Sequence, residues 1–475
     1  MPALWQKITS RASGGRLAKI LDAIDEEIAS AKSIRPVLAL LDRTRDPLQR
    51  HFCDQLDSPA AARLLTVKIL NLLLAQYHFR VRSTALLSRP YGLVVDPVNS
   101  CNLACPGCVH SERAKALELF DWKGGLLSED RYTSFMKRYG PYAIQTTLCN
   151  YGEPLMNAGT PKFIRQAKRW LANTTISTNM TAKKFDAEAY VLSGLDFMTL
   201  SIDGASQAVY EQYRRKGDIE IIFSNIRSLV EARKRLGKRT PVIQWQFLAF
   251  EHNVHEIEPA AKMARELGID QITVATPFDV SWDDPSIRPA NIKPFTTVFQ
   301  HDSNATALDN WNPFPGELDE PAINQAFESR WLEQLAQLPE AEFHPAAPSD
   351  HMCHWLYKNM AMDAAGRIIP CCAAPRPDAD LVYDTFTGSG SNSFNTAKYK
   401  LSRLSFADKA AYEKEQRSLL PGHEPHCANC DWYSDQQKAL IDAPEIEKYF
   451  KSAGNELFDE RSIRILRGDA PRPSH

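Results

Sequence analysis

The chain has no long hydrophobic run. Its most apolar stretch, Leu64–Tyr77, is interrupted by Lys68 and Asn71 and is too short to span a bilayer, so no transmembrane segment is expected. Met1-Pro2-Ala3-Leu4-Trp5 leads into a polar helical pattern rather than an apolar leader, and no secretory signal is expected. Net charge is nearly absent too. The 56 Lys and Arg against 58 Asp and Glu leave −2. That balance excludes a general electrostatic pull toward nucleic acid or an anionic membrane surface, and no nucleic-acid partner is expected. Internal repeats and low-complexity tracts are missing, which excludes a solenoid or a coiled-coil rod. What remains is a 475-residue chain of ordinary globular composition, long enough for two or three cores.

Ten cysteines are present and they cluster by short spacings. In a chain of this size without a leader, that argues for metal ligation in a reducing cytoplasm over disulfides. Cys101, Cys105 and Cys108 stand at the spacing C-x3-C-x2-C, with Pro106 and Gly107 suited to a tight loop. Three thiolates can hold three irons of a four-iron cluster and leave the fourth iron open to a ligand, as an open catalytic metal site does. A zinc knuckle would need a fourth ligand, and His110 lies only two residues past Cys108. Cys53 reads as a buried helix residue.

Residues 1–88 read as a helical extension, with Leu17, Ile20, Leu21, Ile24 and Ile28 recurring at helical spacing. From 89 to 276 strands alternate with amphipathic helices, which implies a parallel α/β sheet. The strands are expected at Tyr91–Asp96, Ile144–Asn150, Thr174–Asn179, Phe197–Ile202, Val242–Leu248 and Gln271–Val274. Helix Thr160–Ala172 carries Thr160 at its N-cap position and Pro161 just inside. Residues 277–350 hold 13 acidic against 3 basic residues and 10 of the 30 prolines. They read as an irregular connection or lid with one helix near Ala326–Leu338. Residues 351–435 hold a second cysteine set, and 436–475 form a tail.

Period-2 alternation assigns the inward faces. Thr147, Cys149, Tyr151 and Glu153 share one parity, and Leu148 the other. Ser177 and Asn179, Thr199, Ser201 and Asp203, and Gln244 and Gln246 also face inward, opposite Ile176, Met198, Leu200, Trp245 and Phe247.

The cysteine spacing and these strand ends resemble the radical S-adenosylmethionine (SAM) enzymes. The resemblance implies a partial (β/α)6 barrel, a SAM-binding [4Fe-4S] cluster on Cys101, Cys105 and Cys108, and reductive cleavage of SAM to a 5′-deoxyadenosyl radical. Tyr151-Gly152-Glu153-Pro154 resembles the family's Gly-Gly-Glu-Pro motif, which places Gly152, Glu153 and Pro154 at the methionyl amino group. Ser201-Ile202-Asp203-Gly204 resembles its fourth-strand motif, so Ser201 and Asp203, with Ser177 and Asn179, are expected around SAM. Arg214, or its neighbour Arg215, matches the arginine that pairs with the SAM carboxylate. Gly107 stands where the family usually has an aromatic residue.

Cys353, Cys371, Cys427 and Cys430 form the second set, with the turn Asp363-Ala364-Ala365-Gly366 between the first two reading as a β-hairpin. Cys372 competes with Cys371. The pattern resembles the SPASM domain of the same superfamily in its shortened Twitch form, which implies an auxiliary [4Fe-4S] cluster for electron transfer. A four-cysteine zinc site, and with it a zinc-binding interaction protein, is the competing reading.

Within the superfamily, dehydrogenase-like oxidation of a small molecule is favoured. A redox-neutral epimerase using Cys149 as hydrogen donor and a peptide-modifying maturase are the alternatives. The resemblance also implies a small-molecule or peptide substrate and an electron donor such as flavodoxin or ferredoxin.

Overall fold

In the computed structural model the described residues are 15–116, 125–277, 284–299, 310–338, 343, 353–371, 383–388, 392–416, 425–430 and 460–467. Cys372 and most of the 436–475 tail lie outside them.

The N-terminal region forms three helices: α1 (Arg16–Ser30), α2 (Ile34–Cys53) and α3 (Pro59–Arg80). The spaced apolar residues of α1 are all buried. Helix α3 is buried on every face because α2, helix Glu320–Glu328 and helix Glu460–Arg467 all pack around it. Its apolarity therefore reflects a central position in the protein rather than a lipid environment. Among the described residues no helix is long and apolar enough to cross a membrane. Cys53 ends α2, where the helix gives way to a turn, and is exposed, not buried.

All six expected strands form: β1 (Gly92–Val95), β2 (Gln145–Thr147), β3 (Asn173–Thr178), β4 (Phe197–Ser201), β5 (Val242–Leu248) and β6 (Gln271–Ala275). Each pairs in parallel with the next, and helices fill every crossover. A parallel sheet wound in one direction curls into a partial barrel. Burial alternates as the sequence predicts. Ile176, Met198, Leu200, Trp245 and Phe247 are fully buried against the helices, while Ser177, Thr199, Ser201, Gln244 and Gln246 are half-buried on the concave face.

Four further strands extend the sheet: β7 (Phe295–Val298), β8 (Asn359–Met362), β9 (Arg367–Ile369) and β10 (Asp384–Thr385). The order is β10-β9-β8-β1-β2-β3-β4-β5-β6-β7, and it is open. Strand β8 lies parallel to β1 with Gly92 opposite Asn359. The second cysteine region therefore shares the barrel's own sheet. Strands β8 and β9 form the expected hairpin, and Gly366 takes φ 87° at its turn.

Residues 277–350 are less irregular than expected. Strand β7 runs antiparallel to β6. The single helix near Ala326–Leu338 is two helices, Glu320–Glu328 and Trp331–Ala336. The break has a cause: Asp42 accepts the amides of Trp331 and Leu332 and starts a new helix there. Thr160 is not the cap but begins helix Thr160–Lys168, and Gly159 takes the cap position. The Thr160 hydroxyl instead donates to the Pro154 carbonyl at 2.7 Å.

Candidate active site and second cysteine centre

The first cysteine loop leaves the C-terminal end of β1. Cys101, Cys105 and Cys108 gather in one cluster with Leu103, Tyr213, Phe250 and Ile287. Gly107 takes φ 74°, a left-handed conformation in which a side chain is strained. Burial pushes the Cys101 thiol up to about 12 and that of Cys105 up to about 11. Any metal entering the loop must therefore displace thiol protons. Among the described residues no three His, Cys, Asp or Glu side chains close around a single metal ion. Thiolates around a multi-iron cluster are spaced more widely than those around one ion, so the donor set fits the cluster by chemistry.

The strand ends converge on this loop through Glu153. Its amide donates to the Ser100 carbonyl at 2.9 Å. Its buried carboxylate accepts the amides of Leu155 at 3.1 Å and Asn179 at 2.8 Å, and the Thr178 hydroxyl at 2.5 Å. Asn179 in turn reaches Cys101 Sγ at 3.6 Å and Asn102 Oδ1 at 2.9 Å. Gly152 passes so close to the Val98 carbonyl that a Cβ would sit 1.7 Å from its oxygen. No larger residue fits there. Pro154 opens a short 3-10 turn capped by Glu153.

Asp96, at the end of β1, was not singled out by the sequence. Wholly buried, it accepts the amides of Asn150, Tyr151 and Gly152 at 2.8, 3.0 and 3.2 Å. Burial pushes its carboxyl up to about 7 against the pull of those amides. The amides of the Tyr151–Gly152 turn are thus committed to Asp96.

On the concave face the hydroxyls of Ser177 and Ser201 lie 3.1 Å apart. Cys149 is half-buried and its sulfur accepts the Ser177 amide at 3.1 Å. Asp203 behaves differently from Ser201. It is fully buried, accepting Arg214 Nε at 2.5 Å and the Leu248 amide at 2.7 Å. Its carboxylate is spent inside the protein, where it holds Arg214 beside Cys105. Arg215 points elsewhere and pairs with Asp284. Its carbonyl accepts the Ala104 amide at 3.1 Å. Of the acidic connection, Ile287 covers the cysteine loop, while Asn310 crosses to Gly194 and Asp196 beneath the sheet.

The second set lies toward the opposite end of β1. Cys353 precedes β8 and Cys371 follows the antiparallel β9, so the pairings bring both to the N-terminal end of β8. Burial pushes the Cys353 thiol up to about 12, and the neighbouring thiols of Cys427 and Cys430 add to the shift. Tyr383 donates to Cys427 Sγ at 3.4 Å, and its hydroxyl also meets Ser402 Oγ at 2.6 Å. Burial pushes the Tyr399 hydroxyl well up, and the Cys427 and Cys371 thiols add to the shift. Cys427 therefore lies against an aromatic wall of Tyr383 and Tyr399. Helix Ala397–Ala407 supplies Tyr399, Ser402 and Arg403 to it. None of the three was singled out in the sequence, although their i, i+3, i+4 spacing marks a single helix face.

The first cysteine loop is tied to the hairpin that carries the second set, at the turn far from Cys353 and Cys371. Asn99, two residues before Cys101, donates to Asp363 Oδ2 at 3.3 Å and accepts the Ala364 amide at 2.9 Å in the β8–β9 turn.

Residues 95–243 match the sequence profile of the Radical SAM superfamily. A probable GTP 3′,8-cyclase of Methanococcus maripaludis is 25% identical over 181 residues, which is 38% of this chain and 56% of that protein. The PqqA peptide cyclase of Gluconobacter oxydans is 23% identical over 290 residues, 61% of this chain and 72% of that protein. Among solved structures, Streptococcus suis SuiB bound to S-adenosylmethionine aligns over 88% of this chain and 87% of its own, with TM-score 0.43 and 12% identity. The chain thus spans little more than half the length of the Methanococcus maripaludis GTP 3′,8-cyclases it matches.

Proposed function

We propose, on the premise that this chain is a radical SAM superfamily enzyme, that it oxidises a neutral, hydroxyl- or amide-bearing substrate and uses two iron–sulfur centres. The observation that carries the reading is the Glu153–Asn179–Cys101 chain of contacts, which joins two strand ends to the cysteine loop. Cys101, Cys105 and Cys108 would hold the SAM-binding cluster. When bound, that cofactor pair supplies the radical that takes a hydrogen atom from substrate. The protein's part is to place SAM: Ser177 and Ser201 offer hydroxyls, Arg214 offers a charge oriented by Asp203, and Gly152 lets its turn close onto Val98 beside the cysteine loop. Asp203 acts through Arg214 rather than on SAM directly. Cys353, Cys371, Cys427 and Cys430 would hold an auxiliary [4Fe-4S] cluster that accepts an electron.

The concave face supports a neutral substrate. Thr147, Ser177, Ser201, Gln244, Gln246 and Thr273 line it, and several bond one another in a ladder that includes Thr147 to Thr175 at 3.0 Å and Thr273 to Gln244 at 3.2 Å. Neutral groups of this kind match hydroxyls and amides; a triphosphate calls for cationic partners. A peptide substrate is the second reading, favoured by the likeness to a PqqA peptide cyclase over 61% of the chain.

Iron, sulfide and zinc counted per chain on anaerobically purified protein test the proposal. About eight irons, falling to about four in a Cys101/Cys105/Cys108→Ala variant and also in a Cys353/Cys371→Ala variant, are expected. Stoichiometric zinc with no iron after reconstitution would overturn it. Deuterium moving from substrate into 5′-deoxyadenosine would then separate a neutral small molecule from a peptide.

A further inference from the structure

Arg403 is wholly buried. Its Nε donates to the Leu356 carbonyl and its Nη1 to the Thr84 carbonyl, each at 2.9 Å. The rings of Tyr357, Phe394 and Tyr399 enclose it at 5.6, 5.0 and 5.4 Å from their centroids. Among the described residues Nη2 meets no hydrogen-bond partner. The same shell reaches the second cysteine set: Tyr383 stacks edge-on against Tyr399 at 4.9 Å, meets Ser402 beside Arg403 at 2.6 Å and donates to Cys427 Sγ at 3.4 Å.

The other inward-turned arginines differ. Arg45 pairs with Asp42, Arg214 with Asp203 and Arg233 with Asp270. A buried cation without a counter-ion is costly, and aromatic faces offset only part of that cost. The one nearby group able to carry a full negative charge as a metal ligand is Cys427. Four thiolates around an iron–sulfur core leave the assembly net anionic, and one-electron reduction adds a further negative charge. A fixed cation beside the core stabilises that added charge.

We propose that Arg403 is the built-in counter-ion of the metal–thiolate centre at Cys353, Cys371, Cys427 and Cys430, and that it raises that centre's reduction potential. The inference rests on the auxiliary-cluster reading above. At the first centre the arginine beside Cys105 is shared with the Asp203 carboxylate, whereas among the described residues Arg403 pairs with no carboxylate. The asymmetry poises the second centre to keep an electron.

The test uses full-length chain carrying Cys101/Cys105/Cys108→Ala, so that only the second centre gives an iron signal. Arg403→Met, Arg403→Gln and Arg403→Lys are added to it, and each reconstituted protein is titrated with dithionite while its paramagnetic signal is followed. The two neutral variants are expected to reduce at a distinctly more negative potential, and Arg403→Lys to stay near the parent. Arg403→Gln keeps donors for the Leu356 and Thr84 carbonyls, so it serves if Arg403→Met does not fold. Parent and neutral variants titrating together would overturn the inference while leaving the cluster reading intact. Zinc in place of iron in the parent would remove both, and the metal count shows this before any titration.

Discussion

Arg214 donates from Nε to Asp203 Oδ2 at 2.5 Å, and the Asp203 side chain is completely buried while the arginine keeps 14% of its surface exposed. The pair turns an acidic motif residue into a support for a basic one. Breaking one side of such a pair leaves an uncompensated charge. Asp203→Asn should therefore lower stability by about 3 kcal/mol and weaken SAM binding sharply. An Asp203→Asn/Arg214→Met double variant should regain most of the stability and none of the SAM affinity. Urea midpoints of the metal-free proteins and SAM binding to reconstituted ones check this; additive losses would mean the two residues act separately.

Glu153 fixes two amides and a hydroxyl with a single buried carboxylate. Glu153→Gln places an amide nitrogen against donors, at a cost of about 1–3 kcal/mol. Because Asn179 hangs from this contact and touches Cys101, iron loading should fall as well as thermal stability. Unchanged iron content at a lowered melting temperature would confine Glu153 to the fold.

The strands of the barrel were legible because their inward residues are polar and their outward ones large and apolar. Gln244 and Gln246 alternating with Trp245 and Phe247 define β5 from end to end. Strand β7 escaped because Phe295–Val298 lies mostly exposed at the sheet edge, where burial imposes no alternation. The place of β8 beside β1 is set by long-range pairing of Gly92 with Asn359, which no local pattern encodes. The same limit applies to the sites. Cysteine spacing announces ligands, whereas Asp203 gives no sign in sequence that Arg214 and Leu248 consume its carboxylate. Arg403 likewise looks like any helical surface arginine until tertiary packing encloses it.

Cys149 faces inward, yet its sulfur already accepts the Ser177 amide. A small residue filling that space preserves the strand. Cys149→Ala is expected to keep turnover within a few-fold of the parent. Loss of product with 5′-deoxyadenosine formation retained would instead identify it as the hydrogen donor of a redox-neutral reaction.

Asn99 bridges the two cysteine regions through Asp363 and Ala364 and is itself buried. Asn99→Ala strands the Ala364 amide without a partner and should cost about 1–3 kcal/mol. The Cys101 centre is expected to load less iron, since its loop is anchored to the hairpin turn through Asn99, and the second centre, at the far end of that hairpin, is expected to load less only through loss of the hairpin's position. A deficit confined to the Cys101 side would show that the hairpin holds its position alone.

His78 offers a test by pH. It is fully buried in α3, its Nε2 accepts the Leu87 amide at 3.1 Å, and burial, with Arg403 adding to it, pushes its pKa down to about 3. The unfolded chain regains an ordinary imidazole near 6.5. Between those values the unfolded state binds the extra proton. Stability is therefore fully present above about 6.5 and is lost as pH falls toward 3. In metal-free protein, His78→Gln should flatten this acid limb while lowering stability at pH 7 by about 1 kcal/mol through lost packing. An Arg403→Gln variant should shorten the acid limb of the His78 parent and lift its lower end to higher pH, because removing the neighbouring cation makes protonation in the folded state easier. Identical pH profiles for the two chains would show that Arg403 exerts no field at His78.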